Sequence, residues 1–256
     1  MRNAGRWCVA AVCIGAANAA CRAQASITSQ ASIAWEPFVG VAFDGSPMSG
    51  ELGRIEVPEN RERDTGATIR LAFVRYRTTN PNPGPPIFFL PGGPGASSTE
   101  FCAAYASHPQ IRLLEQSDVI GIDQRGTGLS EPNLMAPEFV RILPPDRAID
   151  RADVLQAFSE VAAEGAAYWK GLGIDLPAYN TTESAEDVEA VRRALGVEKI
   201  IVMGSSYGSH LALAYLRGHA QHVGRAALLK VEGPDDTWKL PSVAQACLER
   251  LGAQVA

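Results

Sequence analysis

Histidine and cysteine are scarce in this sequence: four His and five Cys among 256 residues. Neither metal nor cofactor is implied, because no His-Glu-x-x-His, no Gly-x-Gly-x-x-Gly dinucleotide fingerprint and no phosphate loop occurs. Lys and Arg total 23 against 28 Asp and Glu, a formal charge of -5 with no basic stripe, which argues against nucleic acid as a partner. Internal repeats, charge blocks and low-complexity tracts are missing too. No apolar run is long enough to span a bilayer stably; the candidate nearest the N-terminus, Trp7 to Ala17, is too short. What is left is ordinary globular composition, with length enough for one large domain and a sizeable core.

The first 25 residues read differently from the rest. Arg2 and Arg6 make a short positive start, the apolar run follows, and Ala17-Asn18-Ala19 and Ala23-Gln24-Ala25 both fit a small-residue cleavage site. This is the layout of a secretory signal peptide, with a buried or amphipathic N-terminal helix as the alternative. Residues 1–25 are therefore expected to be removed, after Ala25 or, as second choice, after Ala19, and the protein to be periplasmic or extracellular. Lipid anchoring through Cys21 is the less favoured reading, because Asn18-Ala19-Ala20 lacks the aliphatic start of a lipoprotein box. Cleavage would take the formal charge to about -8. It would also remove Cys8, Cys13 and Cys21, leaving Cys102 and Cys247 as either a disulfide or two buried thiols.

Residues 26–256 alternate short apolar runs with helical patterns. Ile69 to Tyr76 has the β-branched and aromatic content of a strand, and Asn80 to Pro86 that of a turn. Pro86 to Leu90 and Val119 to Ile122 are continuous apolar runs, as strands buried on both faces would be. A helix is predicted over Glu183 to Leu195, capped by Thr182 and stopped at Gly196. Ala185, Val188, Val191 and Leu195 line its buried face. Lys199 to Met203 reads as a strand, Leu211 to Leu216 as a helix and Ala226 to Val231 as a further strand. Another helix, around Arg151 to Trp169, lies in an excursion between Leu134 and Asn180. Strands alternating with helices in this way imply a largely parallel α/β sheet flanked by helices.

Gly204-Ser205-Ser206-Tyr207-Gly208 matches Gly-x-Ser-x-Gly between a strand and a helix, the context in which that motif carries a nucleophilic serine. Ser206 is the candidate nucleophile; Ser205 lacks a glycine two residues before it. An acyl-transfer serine needs donors for its oxyanion. The backbone N–H of Tyr207 is one candidate. The backbone N–H of Gly93, in the loop Pro91-Gly92-Gly93-Pro94-Gly95 after an earlier strand, is the other, although this glycine cluster taken alone is more often a plain turn.

Three segments in order, Leu90 to Gly95, Asp123-Gln124-Arg125-Gly126-Thr127-Gly128-Leu129-Ser130 and Gly204 to Gly208, make the sequence resemble the proline iminopeptidase and tripeptidyl aminopeptidase group of α/β-hydrolases. The likeness runs from about Pro86 to Pro241. It departs from most proline iminopeptidases at Pro91, which stands where they have histidine. The resemblance implies an α/β-hydrolase fold, an acyl-enzyme on Ser206, a peptide or small acyl substrate, and a structural role for Asp123 and Arg125. It also implies that the triad acid and histidine come after a cap region, so the 256 residues are expected to stop near the start of that cap. Asp235 and Asp236 lie too early for the acid. His210, one helical turn past Ser206, starts on a helix that leads away from the loops at which the elbow aims its serine; His108, His219 and His222 read as surface residues. Aminopeptidases of this group hold the substrate amine with carboxylates. Glu232, beyond a strand end, is a candidate for that role, with a solvated loop charge as its alternative. Three functions stay open: an exported serine aminopeptidase, an esterase of the same fold, or a non-catalytic remnant.

Overall fold

The computed structural model describes residues 33–63, 65–135, 147–233 and 241–255. The expected signal segment with Cys8, Cys13 and Cys21, and the acids Asp235 and Asp236, lie outside the described residues.

Seven strands form one mixed sheet: β1 (Ala34–Val41), β2 (Pro47–Pro58), β3 (Thr68–Tyr76), β4 (Ile87–Leu90), β5 (Val119–Ile122), β6 (Ile200–Ser205) and β7 (Val223–Leu229). Their spatial order is β1-β2-β3-β5-β4-β6-β7. The first three pair antiparallel and β3 joins β5 antiparallel. From β5 through β4 and β6 to β7 the pairing is parallel. The helices are α1 (Ser98–Ala106), α2 (Arg151–Gly171), α3 (Thr181–Ala194), α4 (Tyr207–His219) and α5 (Pro241–Val255).

The apolar runs become what their composition dictates. β4 and β5 are buried at every residue, since helices cover both faces of the parallel part. Leu71, Phe73, Phe88, Leu90, Ile120, Ile122, Ile200 and Val202 turn to one face, where Ala185, Val188 and Val191 of α3 and Leu211 and Tyr215 of α4 meet them. Ala72, Val74, Tyr76, Ile87, Phe89, Val119 and Met203 turn to the other face, against Cys102, Ala103 and Ala106 of α1. Helix α3 starts slightly earlier than its charge pattern predicts. Its cap is Asn180, whose side chain accepts from the Glu183 N–H at 2.9 Å, so Thr182 is not the cap. Gly196, with φ 67°, ends it as expected. Helix α2 opens with a reciprocal capping box between Asp150 and Asp153.

β1 and β2 fall in a stretch that reads only as polar. Glycines concealed β2, because glycine inside a strand weakens the pattern. Gly50 and Gly53 are there because a Cβ would lie 2.6 Å from the Tyr76 and Phe73 rings, respectively. β7 extends earlier than its apolar run and is an exposed edge strand, with Leu229 and the following Val231 facing solvent.

Cys102 and Cys247 are free thiols, not a disulfide. Cys102 is fully buried on α1, where Gly121 of β5 makes room for it: a Cβ on Gly121 would lie 2.7 Å from Cys102 Cβ. Burial, reinforced by nearby Asp123, pushes its thiol well above the ordinary range. Alkylation of the native protein is therefore expected to modify the half-buried Cys247 and spare Cys102 until denaturant is added. Equal reaction at both, followed by peptide mass spectrometry, would contradict this packing.

Candidate active site

Ser206 sits in the one-residue break between β6 and α4. Its backbone has φ 55° and ψ -126°, a conformation that side chains other than glycine rarely adopt. The chain holds this strain because both neighbouring glycines are wedged against backbone. A Cβ on Gly204 would lie 2.3 Å from the Gly208 carbonyl oxygen, and one on Gly208 only 1.9 Å from that of Leu90. The Ser206 N–H is tied to the Leu229 carbonyl of β7 at 2.9 Å. The serine is thereby lifted onto the C-terminal rim of the parallel strands, where substrates bind in such sheets.

The loop after β4 closes on this serine. A Cβ at Gly92 would stand 3.0 Å from Ser206 Cβ and 3.4 Å from its Oγ, so it is the missing side chain of Gly92 that leaves space beside this hydroxyl. Gly93, the residue expected to supply the oxyanion donor, has φ 119°, and a Cβ there would collide with the Gly95 nitrogen at 2.7 Å. Tyr207 heads α4, and its phenol lies 2.9 Å from Thr181 Oγ1. Burial pushes that phenol above its ordinary pKa, against the pull of Thr181, so it stays protonated at neutral pH.

Asp123 is fully buried and holds the loops around the site. It accepts from the Thr99 N–H (2.9 Å) and hydroxyl (2.7 Å), from the Ser97 hydroxyl (3.1 Å) and from the Leu129 N–H (2.7 Å). Arg125 points inward, its side chain 1% exposed, and pairs through Nε and Nη2 with both Asp187 oxygens at 2.8 Å. It also donates to the carbonyls of Glu59 and Ala178. Arg61 joins the same cluster through Glu183 and Asp187. Burial alone would lower the Arg61 guanidinium, but the two carboxylates more than offset it. Asp123 and Arg125 thus make the shape-holding hydrogen bonds expected of them.

Glu232 comes closer to Ser206 than its place in the sequence suggested. The Ser206 hydroxyl donates to its Oε1 at 3.0 Å. Ser209, which sequence reasoning missed, links the two: its fully buried hydroxyl donates to the Ser206 carbonyl at 2.6 Å and accepts from the Glu232 N–H at 2.8 Å. The signal was its position, one helical turn past Ser206 on the buried side of α4.

The histidines are all engaged elsewhere. His210 Nδ1 lies 3.0 Å from the Gly233 carbonyl and its ring stacks on Tyr207. His219 pairs with Glu186, His222 Nδ1 meets the Glu198 carbonyl, and His108 Nδ1 accepts from the Gln110 N–H. Among the described residues no cluster of His, Cys, Asp and Glu is arranged to hold a metal. No described helix is long and apolar enough to cross a membrane.

Known proteins are similar to this chain in sequence. The chain is 32% identical over 238 residues to a tripeptidyl aminopeptidase of Streptomyces coelicolor, covering 88% of this chain and 42% of the relative. It is 30% identical to the serine protease Hip1 of Mycobacterium tuberculosis over 72% of this chain and 36% of that one. A proline iminopeptidase of Neisseria gonorrhoeae is 31% identical over 56% of this chain and 31% of its own length. The chain thus spans less than half the length of these relatives. The alpha/beta hydrolase fold family model matches residues 85–246, which takes in the strand–loop–strand segment, the elbow and β7. The chain belongs to the α/β-hydrolase family.

Proposed function

We propose that this chain carries the nucleophile-bearing part of an exported serine aminopeptidase, which releases residues or short peptides from free N-termini through an acyl-enzyme on Ser206. The observation that carries the reading is the elbow itself, a serine held at positive φ between two glycines that backbone contacts forbid to be anything else. In this reading the backbone N–H groups of Tyr207 and Gly93 receive the developing oxyanion. Glu232 offers its carboxylate to the substrate's free amine, a role that its contact with Ser206 Oγ supports. The names of the relatives support peptide over ester as the substrate.

To test this, the product of the native reading frame is incubated with a fluorophosphonate probe and with aminoacyl and tripeptidyl anilides beside short acyl esters. A covalent adduct on Ser206, lost in Ser206→Ala, and preference for the anilides are expected. Labelling that survives Ser206→Ala would overturn the nucleophile, and preference for the esters would overturn the peptidase. Export belongs to the same proposal: Edman sequencing of protein recovered outside the cytoplasm should begin after Ala25, or after Ala19, and an intact Met1 there would refute processing.

One observation favours a non-catalytic reading. The Ser206 hydroxyl donates to a carboxylate and meets no histidine among the described residues. A failure of the native product to label would establish that reading.

A further inference from the structure

A cleft of about 410 Å³ opens beside the elbow, walled among the described residues by Pro94, Gln124, Leu134, Tyr179, Thr181 and Tyr207. Its lining includes Tyr207, the residue after Ser206, and Pro94 and Gly95 of the loop whose Gly92 abuts Ser206. Its volume suits one or two residues of a peptide. Its walls are chiefly rings and aliphatic carbon. Arg125 is the one charged residue lining it among those described, and its guanidinium is engaged by Asp187 and three carbonyls, leaving no donor for a ligand.

The polar groups around the cleft are mostly engaged. Thr127 Oγ1 donates to the Gln124 carbonyl, Asn180 caps α3 and donates to the Pro177 carbonyl, and Thr181 pairs with Tyr207. Gln124 is the exception. It is 7% exposed, and its Nε2 has no hydrogen-bond partner among the described residues. A buried amide left unpaired is unfavourable, and the soft terminal torsion of glutamine lets the group turn toward the cleft.

We propose that this cleft is a subsite for an uncharged, apolar residue of the substrate, and that Gln124 reads that residue's peptide group through its carboxamide, donating to the C=O and accepting from the N–H. The assignment to a hydrolytic substrate rests on the serine-hydrolase reading; the binding itself is measured separately. A peptide N–H is what an ester lacks, so the site favours amides over esters. The apolar walls and the spent Arg125 disfavour acidic residues.

The test uses ¹⁵N-labelled chain carrying Ser206→Ala, so that no probe is consumed. The Gln124 side-chain amide signal is identified by its loss in Gln124→Leu. Titration with N-acetyl-phenylalanine methylamide should move that signal. The corresponding methyl ester and N-acetyl-aspartate methylamide should bind on the order of tenfold more weakly, and Gln124→Leu should weaken the methylamide to a similar degree. Met135→Trp, at an exposed residue of the rim, should also weaken binding by narrowing the mouth. A Gln124 signal unmoved up to the probe's solubility limit, or equal affinity for amide and ester, overturns the subsite. If Gln124→Leu does not fold, unchanged affinity in Met135→Trp overturns it as well. A Gln124 response beside an unlabelled wild-type Ser206 supports the subsite and sinks only the hydrolase reading.

Discussion

Asp187→Ala is expected to destabilise the fold by about 3–5 kcal/mol, read as a lower midpoint in urea unfolding. Asp187 is 2% exposed and takes both guanidinium groups of the inner cluster, Arg125 through two bonds of 2.8 Å and Arg61 through one of 2.7 Å. Without it, the buried Arg125 and the partly buried Arg61 face the single carboxylate of Glu183, which lies 3.3 Å from Arg125 and is already engaged with Arg61. Removing one partner of a buried pair costs far more than the pair contributes, because the remaining charge stays desolvated. Asp187→Asn, which keeps an acceptor and loses the charge, should fall between wild type and alanine. The loss would also reach the site, since Arg125 holds the turn that carries Gln124 and Asp187 belongs to the helix that carries Thr181. A loss under about 1 kcal/mol would mean that water reaches the cluster, contrary to its burial.

How far the sequence foretold this arrangement depends on the range of the force involved. Elements driven by local pattern were legible: the all-apolar runs of β4 and β5, the helix with Ala185, Val188 and Val191 on one face, and the glycine-flanked Ser206. β1 and β2 were not, because β2 uses Gly50 and Gly53 to admit rings from the neighbouring strand, a requirement set by Tyr76 and Phe73 and invisible in β2 alone. The α3 cap moved from Thr182 to Asn180 because the helix begins earlier than its apolar face. At the site, Ser206 could be read from spacing. The contacts of Ser209 and Glu232 could not, since they depend on how β7 ends against the start of α4, 23 residues apart in sequence. Cys102 and Cys247 looked like a pair only because they were the two cysteines left over; packing against Gly121 decided otherwise.

The second large effect concerns the rate. The 256 residues by themselves are expected to hydrolyse peptide anilides on the order of 10⁶-fold more slowly than a serine peptidase with its base in place. A serine hydroxyl is a weak nucleophile until a base within hydrogen-bond reach takes its proton. Here the Ser206 proton points at Glu232, while each of the four histidines is bonded elsewhere. His210 starts nearest, but to reach Ser206 it would have to leave both the Gly233 carbonyl and the Tyr207 ring. Groups of a triad act as a unit, so with the base out of place the serine itself loses most of its worth. Ser206→Ala in this chain should therefore change the anilide rate by less than about tenfold, where a working triad would lose nearly everything. His210→Ala should change it no further. A fast rate that collapses in both Ser206→Ala and His210→Ala would show that His210 swings onto the serine, and would overturn the geometry in which Gly233 holds it.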